Sequence, residues 1–382
     1  MKLLFASDSF KGTLSSEETV CLLTRAAGEV FRECECIGIP VADGGEGTTD
    51  AVIRVTDGEK IPVQVHDPLM EPVWAYYGKI DENRAILEMA AASGLPMVPE
   101  NLRDPRKTTT YGTGELLKDA VRQGFEDITI AIGGSATNDG GMGCMRALGV
   151  RFLDRNGAEL AGTGADLIRV SHIDYSGIDP RIADIKFTVM CDVNNLLCGK
   201  DGATYTFGGQ KGGTPEVLDE LERGMQNYRD VIIRELHVNP DEIPGAGAAG
   251  GLGTALMVFL HATLKSGIEA VLDLIRFDDR LKGVSLVVTG EGRADWQSCF
   301  GKVMHGVGNR CRKYGIPVIA LVGGMGEGAE QILDCGINSM VTTVNAVMEL
   351  DEALERAEEL YYSGAIRMFR LLKTGIEMAG GN

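Results

Sequence analysis

The chain has 382 residues, 44% hydrophobic and 24% charged, which is the balance of a soluble globular protein with two or three cores. Its formal net charge of −18 excludes the basic face that non-specific nucleic-acid binding needs, so any anionic ligand must be held locally by backbone N–H groups, a few Lys or Arg and a divalent cation. Nine scattered cysteines without a CxxC, too few apolar residues before Asp8 for a signal peptide, and no apolar run of about 18 residues lead to the expectation of reduced thiols, a cytoplasmic location and no membrane contact.

In chain order, residues 3–6 read as a buried strand. Residues 15–32 read as a helix opened by a capping box, Ser15 with Glu18. A strand over 37–41 and a helix over 47–55 complete a βαβα pattern, the mark of a parallel sheet. Strands are predicted over 73–80 and 84–89, a helix over 113–123, a strand over 127–132 and a helix over 141–148. A strand over 186–190 and a long helix over 215–236 follow. After residue 284 strict alternation returns: strands over 285–289, 317–322 and 339–344, and helices over 301–314, 329–335 and 350–372. Two βα units are too few to close a core. The simplest assembly is therefore α/β: one doubly wound domain built from both chain ends, 1–65 and 284–382, with a second mixed α/β domain, 66–283, inserted.

Glycine is abundant, 51 of 382 residues against a usual share of about 7%, and it clusters. Six loops carry glycines with polar residues: 41–48, 132–141, 207–214, 244–253, 288–295 and 321–328. In open α/β sheets, ligands lie beyond the carboxyl ends of the strands, and loops of this kind offer N–H groups to an anion. The two common phosphate fingerprints fail. In the Walker A pattern the first glycine position is Trp296, and Val303 follows Lys302. Gly245, Gly247 and Gly250 match GxGxxG, but no strand precedes them, so the match reads as chance or close packing.

The charged residues beside these loops say more. Asp8, Ser9 and Lys11 follow the first strand; Asp43 and Glu46 follow the second; Glu291, Arg293 and Asp295 follow the strand over 285–289. Each alone is equally well a helix cap. As a set they supply what phosphoryl transfer needs: oxygen ligands for Mg²⁺, cations for the transferred group and a carboxylate base. Asp192 could join from the inserted segment. Lys211, between glycine pairs, reads either as a backbone or phosphate contact or as a solvated loop lysine. His66, His172, His237, His261 and His305 form no HxH or HxxxH pair, so neither a His metal site nor a Ser-His-Asp hydrolase is supported.

Together the stretches ASDSFKGTLS (6–15), ADGGEGT (42–48), TTYGTGELL (109–117), IGGSATNDGG (132–141), CDVNNLLCG (191–199), FGGQKGG (207–213), PGAGAAGGLG (244–253) and GEGRADWQSCFGK (290–302) resemble the bacterial glycerate kinases that are not P-loop enzymes. The resemblance spans nearly the whole chain in family order. It departs at Ser7, Asn194, Leu196, Gly209, Trp296 and Met304, where the family usually has other residues, Asn195 between two of them being kept; Trp296 puts a bulky indole where it has a small one. The resemblance implies two α/β domains, the split one flavodoxin-like, with the site in their cleft. It implies ATP- and Mg²⁺-dependent phosphorylation of D-glycerate at the 2-hydroxyl. The alternatives are a kinase for another small hydroxy acid and a catalytically silent glycerate-binding regulator.

Under this reading the catalytic set is Asp8, Lys11, Asp43, Asp192 and Arg293. Substrate and ATP are contacted by Ser9, Glu46, Gly133, Gly134, Ser135, Thr137, Asn138, Asp139, Lys211, Glu291 and Lys302. Asp43, Asp192 and Asp295 are the metal ligands; the expected partners are D-glycerate and ATP, with no nucleic acid and no membrane, and a homodimer is the assembly considered.

Overall fold

The computed structural model describes residues 1–10, 12–41, 45 and 47–380. The chain divides into two compact units, Met1–Asp43 with Gly267–Asn382, and Gly44–Ser266. Among the described residues no helix is long and apolar enough to cross a membrane.

The first unit is built on a five-stranded, wholly parallel sheet. Its strands lie in the order Ser339–Thr342, Val318–Val322, Leu286–Thr289, Lys2–Phe5, Glu35–Gly38. The central pair is in register with Leu3 opposite Leu286 and Phe5 opposite Val288. A parallel strand covered on both faces must be apolar throughout, and Leu3, Leu4, Phe5, Val287 and Val288 are fully buried. From Lys2–Phe5 the chain winds outward in one direction to Glu35–Gly38. From Leu286–Thr289 it winds in the other direction to Val318–Val322 and Ser339–Thr342. The carboxyl ends of Lys2–Phe5 and Leu286–Thr289 therefore flank a topological switch point, where doubly wound sheets take their ligands.

Helix Ser16–Val30 begins with the expected capping box: Ser15 N donates to Glu18 Oε2 at 2.8 Å, and Glu18 N donates back to Ser15 Oγ at 3.2 Å. Its apolar face, Leu23, Ala26 and Ala27, packs with Tyr361, Ala365 and Phe369 of helix Ala357–Gly380 over Leu3 and Phe5. The terminal helix expected to be continuous is two helices, Leu350–Glu355 and Ala357–Gly380. Arg356 between them leaves helical geometry (φ −101°, ψ 19°), and its guanidinium bonds Glu352 of one and Glu359 of the other. Residues 329–335 form a 3₁₀ segment instead of an α-helix.

The second unit carries a six-stranded mixed sheet in the order Thr263–Lys265, Lys186–Met190, Asp127–Ala131, Arg84–Glu88, Pro72–Lys79, Glu59–His66. The first four strands run parallel and the last two antiparallel. Glu59–His66 has no counterpart among the predicted strands. Its alternation is broken by Pro62, which an edge strand tolerates because one row of N–H groups has no ladder partner. It carries residues 59–65 into this sheet. Helices Tyr111–Gln123 and Pro215–Leu236 help enclose a core that includes Tyr77, Leu87, Leu117, Ile128, Ile130, Val189, Tyr228 and Leu256.

Candidate active site

In the first unit the strand ends at the switch point bring together Asp8, Ser9, Glu291, Arg293, Asp295 and Lys302. Asp8 is 8% exposed; its N–H donates to the Gly290 carbonyl at 2.9 Å, and its Oδ1 accepts the Ser9 N–H at 2.7 Å. Ser7 Oγ donates to the same Gly290 carbonyl at 3.1 Å, so the ends of the two neighbouring strands are sewn together. Gly290 is required there: a Cβ would stand 1.9 Å from the Leu321 carbonyl oxygen.

Beyond it, Arg293–Ala294 forms a short parallel bridge to Gly324–Met325. The exposed Arg293 side chain runs along that segment, with Nε and Nη2 each 3.2 Å from where a Gly326 Cβ would stand. Glu291 is 7% exposed, accepts a hydrogen bond from Ser298 Oγ and lies 3.9 Å from Lys302 Nζ. Asp295 caps the 3₁₀ turn Trp296–Cys299, its Oδ1 accepting the Gln297 N–H at 2.9 Å, while Ser298 Oγ receives the Asp295 N–H at 3.1 Å. Trp296 is 52% exposed and meets the exposed Phe300 ring edge-on at 6.0 Å. Thr289, at the end of its strand, keeps a buried hydroxyl without a partner.

In the second unit the loop 132–141 follows strand Asp127–Ala131 and opens helix Met142–Ala147. Gly133 and Gly134 are exposed, whereas Ser135, Thr137, Asn138 and Asp139 are buried. Asp139 is fully enclosed by donors. Its Oδ2 accepts Thr110 N at 2.7 Å, Thr110 Oγ1 at 2.8 Å, Gly143 N at 3.2 Å and Thr109 Oγ1 at 3.4 Å; its Oδ1 accepts Gly141 N at 3.0 Å. Burial pushes this carboxyl above its ordinary range, and the N–H and O–H donors oppose the shift.

Asn138 Nδ2 donates to Thr204 Oγ1 at 3.2 Å; its Oδ1 and the Thr137 hydroxyl are buried and unpartnered. Lys211, 2% exposed, donates through Nζ to the Thr137 carbonyl at 2.7 Å. Its pKa is lowered to about 7 by burial, with the Asp139 charge pulling the other way. Gly250, at φ +67°, presses on the same place, where a Cβ would lie 2.0 Å from the Thr137 carbonyl oxygen. Asp192, after strand Lys186–Met190, is exposed.

Lys11, Asp43 and Glu46 lie outside the described residues. Asp192 and Asp295 belong to different units. Among the described residues no group of three or more His, Cys, Asp and Glu side chains is arranged to hold a metal. A surface cavity of about 300 Å³ in the second unit, lined by Lys118, Arg122, Gly149 and Pro180 among others, contains none of the candidate residues.

Several supporting residues escaped the sequence reading. Glu88 accepts the Gly47 N–H at 3.2 Å and the Thr49 N–H at 2.6 Å, anchoring the start of helix Thr48–Thr56 beside the segment that holds Asp43 and Glu46. Thr110 and Ser298 do the same for Asp139 and Glu291. The available signals were a carboxylate closing the apolar run RAILE and three consecutive threonines, 108–110.

Known proteins resemble this chain in sequence and fold. Residues 3–373 match the model of the glycerate kinase family. The glycerate 2-kinase of Escherichia coli (strain K12) is 42% identical over 381 residues, 100% of each chain. The glycerate kinase of Bacillus subtilis (strain 168) is 42% identical over 360 residues, 94% of each. A crystal structure of a candidate glycerate kinase 2 from Salmonella typhimurium LT2 superposes with a TM-score of 0.89 at 41% identity, covering 99% of both chains. The chain is thus an α/β enzyme. The chain belongs to the glycerate kinase family.

Proposed function

We propose that this enzyme transfers the γ-phosphoryl group of ATP to the 2-hydroxyl of D-glycerate, giving 2-phospho-D-glycerate and ADP. The observation that carries the reading is the match, end to end, with a protein named glycerate 2-kinase. The site chemistry agrees with it. Carboxylates, cations and glycine-rich loops gather at the strand ends in each unit, and no P-loop is present. The split unit is read as a flavodoxin-like domain, its strand order reversing between Lys2–Phe5 and Leu286–Thr289, with the mixed α/β domain inserted.

In this mechanism Lys11 and Arg293 grip the glycerate carboxylate or the phosphoryl group in flight. One of Asp8, Asp43 and Asp192 accepts the hydroxyl proton as the new O–P bond forms and the bond from Pγ to the β-phosphate oxygen breaks. Gly133 and Gly134, exposed at the start of their loop, offer N–H groups to phosphate oxygens; Thr137 and Asn138, whose unpartnered polar atoms are buried, shape the loop from within, and Asp139 holds it in place. Asp43, Asp192 and Asp295 are the carboxylates from which the ligands of a Mg²⁺ ion would be drawn; such an ion takes one or two carboxylates plus substrate phosphate and, when bound, would neutralise charge on the phosphates. The test is ADP formation across a panel of small hydroxy acids. D-glycerate should give the highest kcat/KM, and a better substrate elsewhere in the panel would replace this assignment.

A further inference from the structure

Lys211 is an ionisable amine where an apolar side chain would cost less. It is 2% exposed, and among the described residues its one side-chain hydrogen bond goes to the Thr137 carbonyl. Burying a charge with a single neutral acceptor is unfavourable unless something else needs it. What it holds is the middle of the loop 132–141. The loop is held at three points: Lys211 on the Thr137 carbonyl, Thr204 on the Asn138 amide, and Gly250, whose carbonyl accepts the Gly140 N–H at 3.0 Å. Between these anchors the Thr137 hydroxyl and Asn138 Oδ1 are buried and left without protein partners. The charged group facing Lys211 is Asp139, itself locked by five donors and therefore unable to turn toward the ammonium at will.

We propose that Lys211 is a positioning residue and not a substrate ligand: it acts on the reaction through the Thr137 carbonyl, fixing the glycine loop so that its exposed Gly133 and Gly134 present their N–H groups in one geometry. The inference rests on the glycerate kinase reading for its kinetic arm only. A lysine that touched substrate would have to leave a buried site, whereas one that holds the loop does its work where it stands. The depressed pKa agrees with a group kept in a dry setting for what it holds.

The experiment compares wild type, Lys211→Met, Lys211→Gln, Asn138→Ala and the Lys211→Met/Asn138→Ala double variant. In Lys211→Met, kcat/KM for D-glycerate falls by about 100-fold, the size of effect a loop misplaced by an ångström produces. The unfolding temperature stays level or rises, because an isolated buried charge has gone; a merely structural role would lower both together. Amide exchange across 132–141 quickens. Glutamine, which keeps a neutral N–H donor, recovers at least about tenfold over methionine. The double variant loses little more than the worse single variant, because both changes damage one loop.

Losses that multiply to about 10⁴ in the double variant would make Lys211 an independent ligand and overturn the proposal. So would turnover within about twofold of wild type in Lys211→Met, glutamine no better than methionine, or unchanged exchange in the loop. Wild-type protein that fails to phosphorylate D-glycerate would remove the functional reading alone, and the exchange measurement would still judge Lys211.

Discussion

Replacing Asp139 by asparagine is the sharpest perturbation of the buried loop. The side chain keeps its size, but one oxygen becomes an NH₂ group among donors. Oδ2 serves Thr110 N, Thr110 Oγ1, Gly143 N and Thr109 Oγ1, and Oδ1 serves Gly141 N alone, so the amide costs least turned toward Gly141. That orientation sets N–H against N–H and strands a buried donor, at about 1–3 kcal/mol. The other bonds lose charge assistance, about 0.5 kcal/mol each. Relief from burying a carboxylate, whose cost is visible in its raised pKa, offsets part of this. The net is a loss of about 3 kcal/mol, or about 6–12 °C at 2–4 °C per kcal/mol. Calorimetry should show the drop in one transition, since the two units need not melt together. Steady-state kinetics should show kcat/KM reduced by about 100-fold, because residues 133–138 hang from this anchor. A transition within about 1 °C of wild type, with kcat/KM within twofold, would refute the claim that Asp139 pins the loop.

Three further outcomes follow from the same geometry. Trp296→Ser removes a half-exposed side chain, so stability should change by less than about 0.5 kcal/mol while the ratio of kcat/KM values between D-glycerate and bulkier hydroxy acids shifts; an unchanged ratio would show that the indole lies away from the substrate. Lys211 titrates at about 7 in the folded chain against about 10.4 unfolded, so between those values the unfolded state binds more protons and this group's contribution to stability rises with pH. The thiols of Cys36 and Cys311, pushed up to about 12 by burial, act in the opposite sense above about pH 8.5, so the rise must be read as wild type minus Lys211→Met; a flat difference would contradict the burial of the charge. Glu88→Gln should raise KM or lower kcat by about tenfold, since an amide cannot accept both the Gly47 and Thr49 N–H groups with equal strength. Kinetics identical to wild type would show that the segment before helix Thr48–Thr56 does not depend on Glu88.

Much of the architecture could be read from local pattern. Strand Lys186–Met190 and helix Pro215–Leu236 have the bounds that hydrophobic period and the Thr214–Pro215 start signal indicate. The Ser15–Glu18 box marked a helix start to the residue. Glu59–His66 escaped because a proline interrupts an edge strand whose partner lies across a turn. At the site, glycine clusters marked the loops, since close backbone approach needs a missing side chain. The anchors were hidden because they are remote in sequence: Thr110 reaches Asp139 across 29 residues and Lys211 reaches Thr137 across 74. Whether the lone lysine of GGQKGG touched backbone, phosphate or water could not be decided from spacing, because the carbonyl it meets, that of Thr137, is brought to it only by the fold.

Phosphorylation of the 2-hydroxyl can be read in one assay. The enzyme is incubated with D-glycerate, ATP and Mg²⁺ in the presence of enolase and the absence of phosphoglycerate mutase. ADP and phosphoenolpyruvate should form in step, since enolase dehydrates only the 2-phosphorylated product. ADP without phosphoenolpyruvate, or no ADP at all, would contradict phosphorylation at that position.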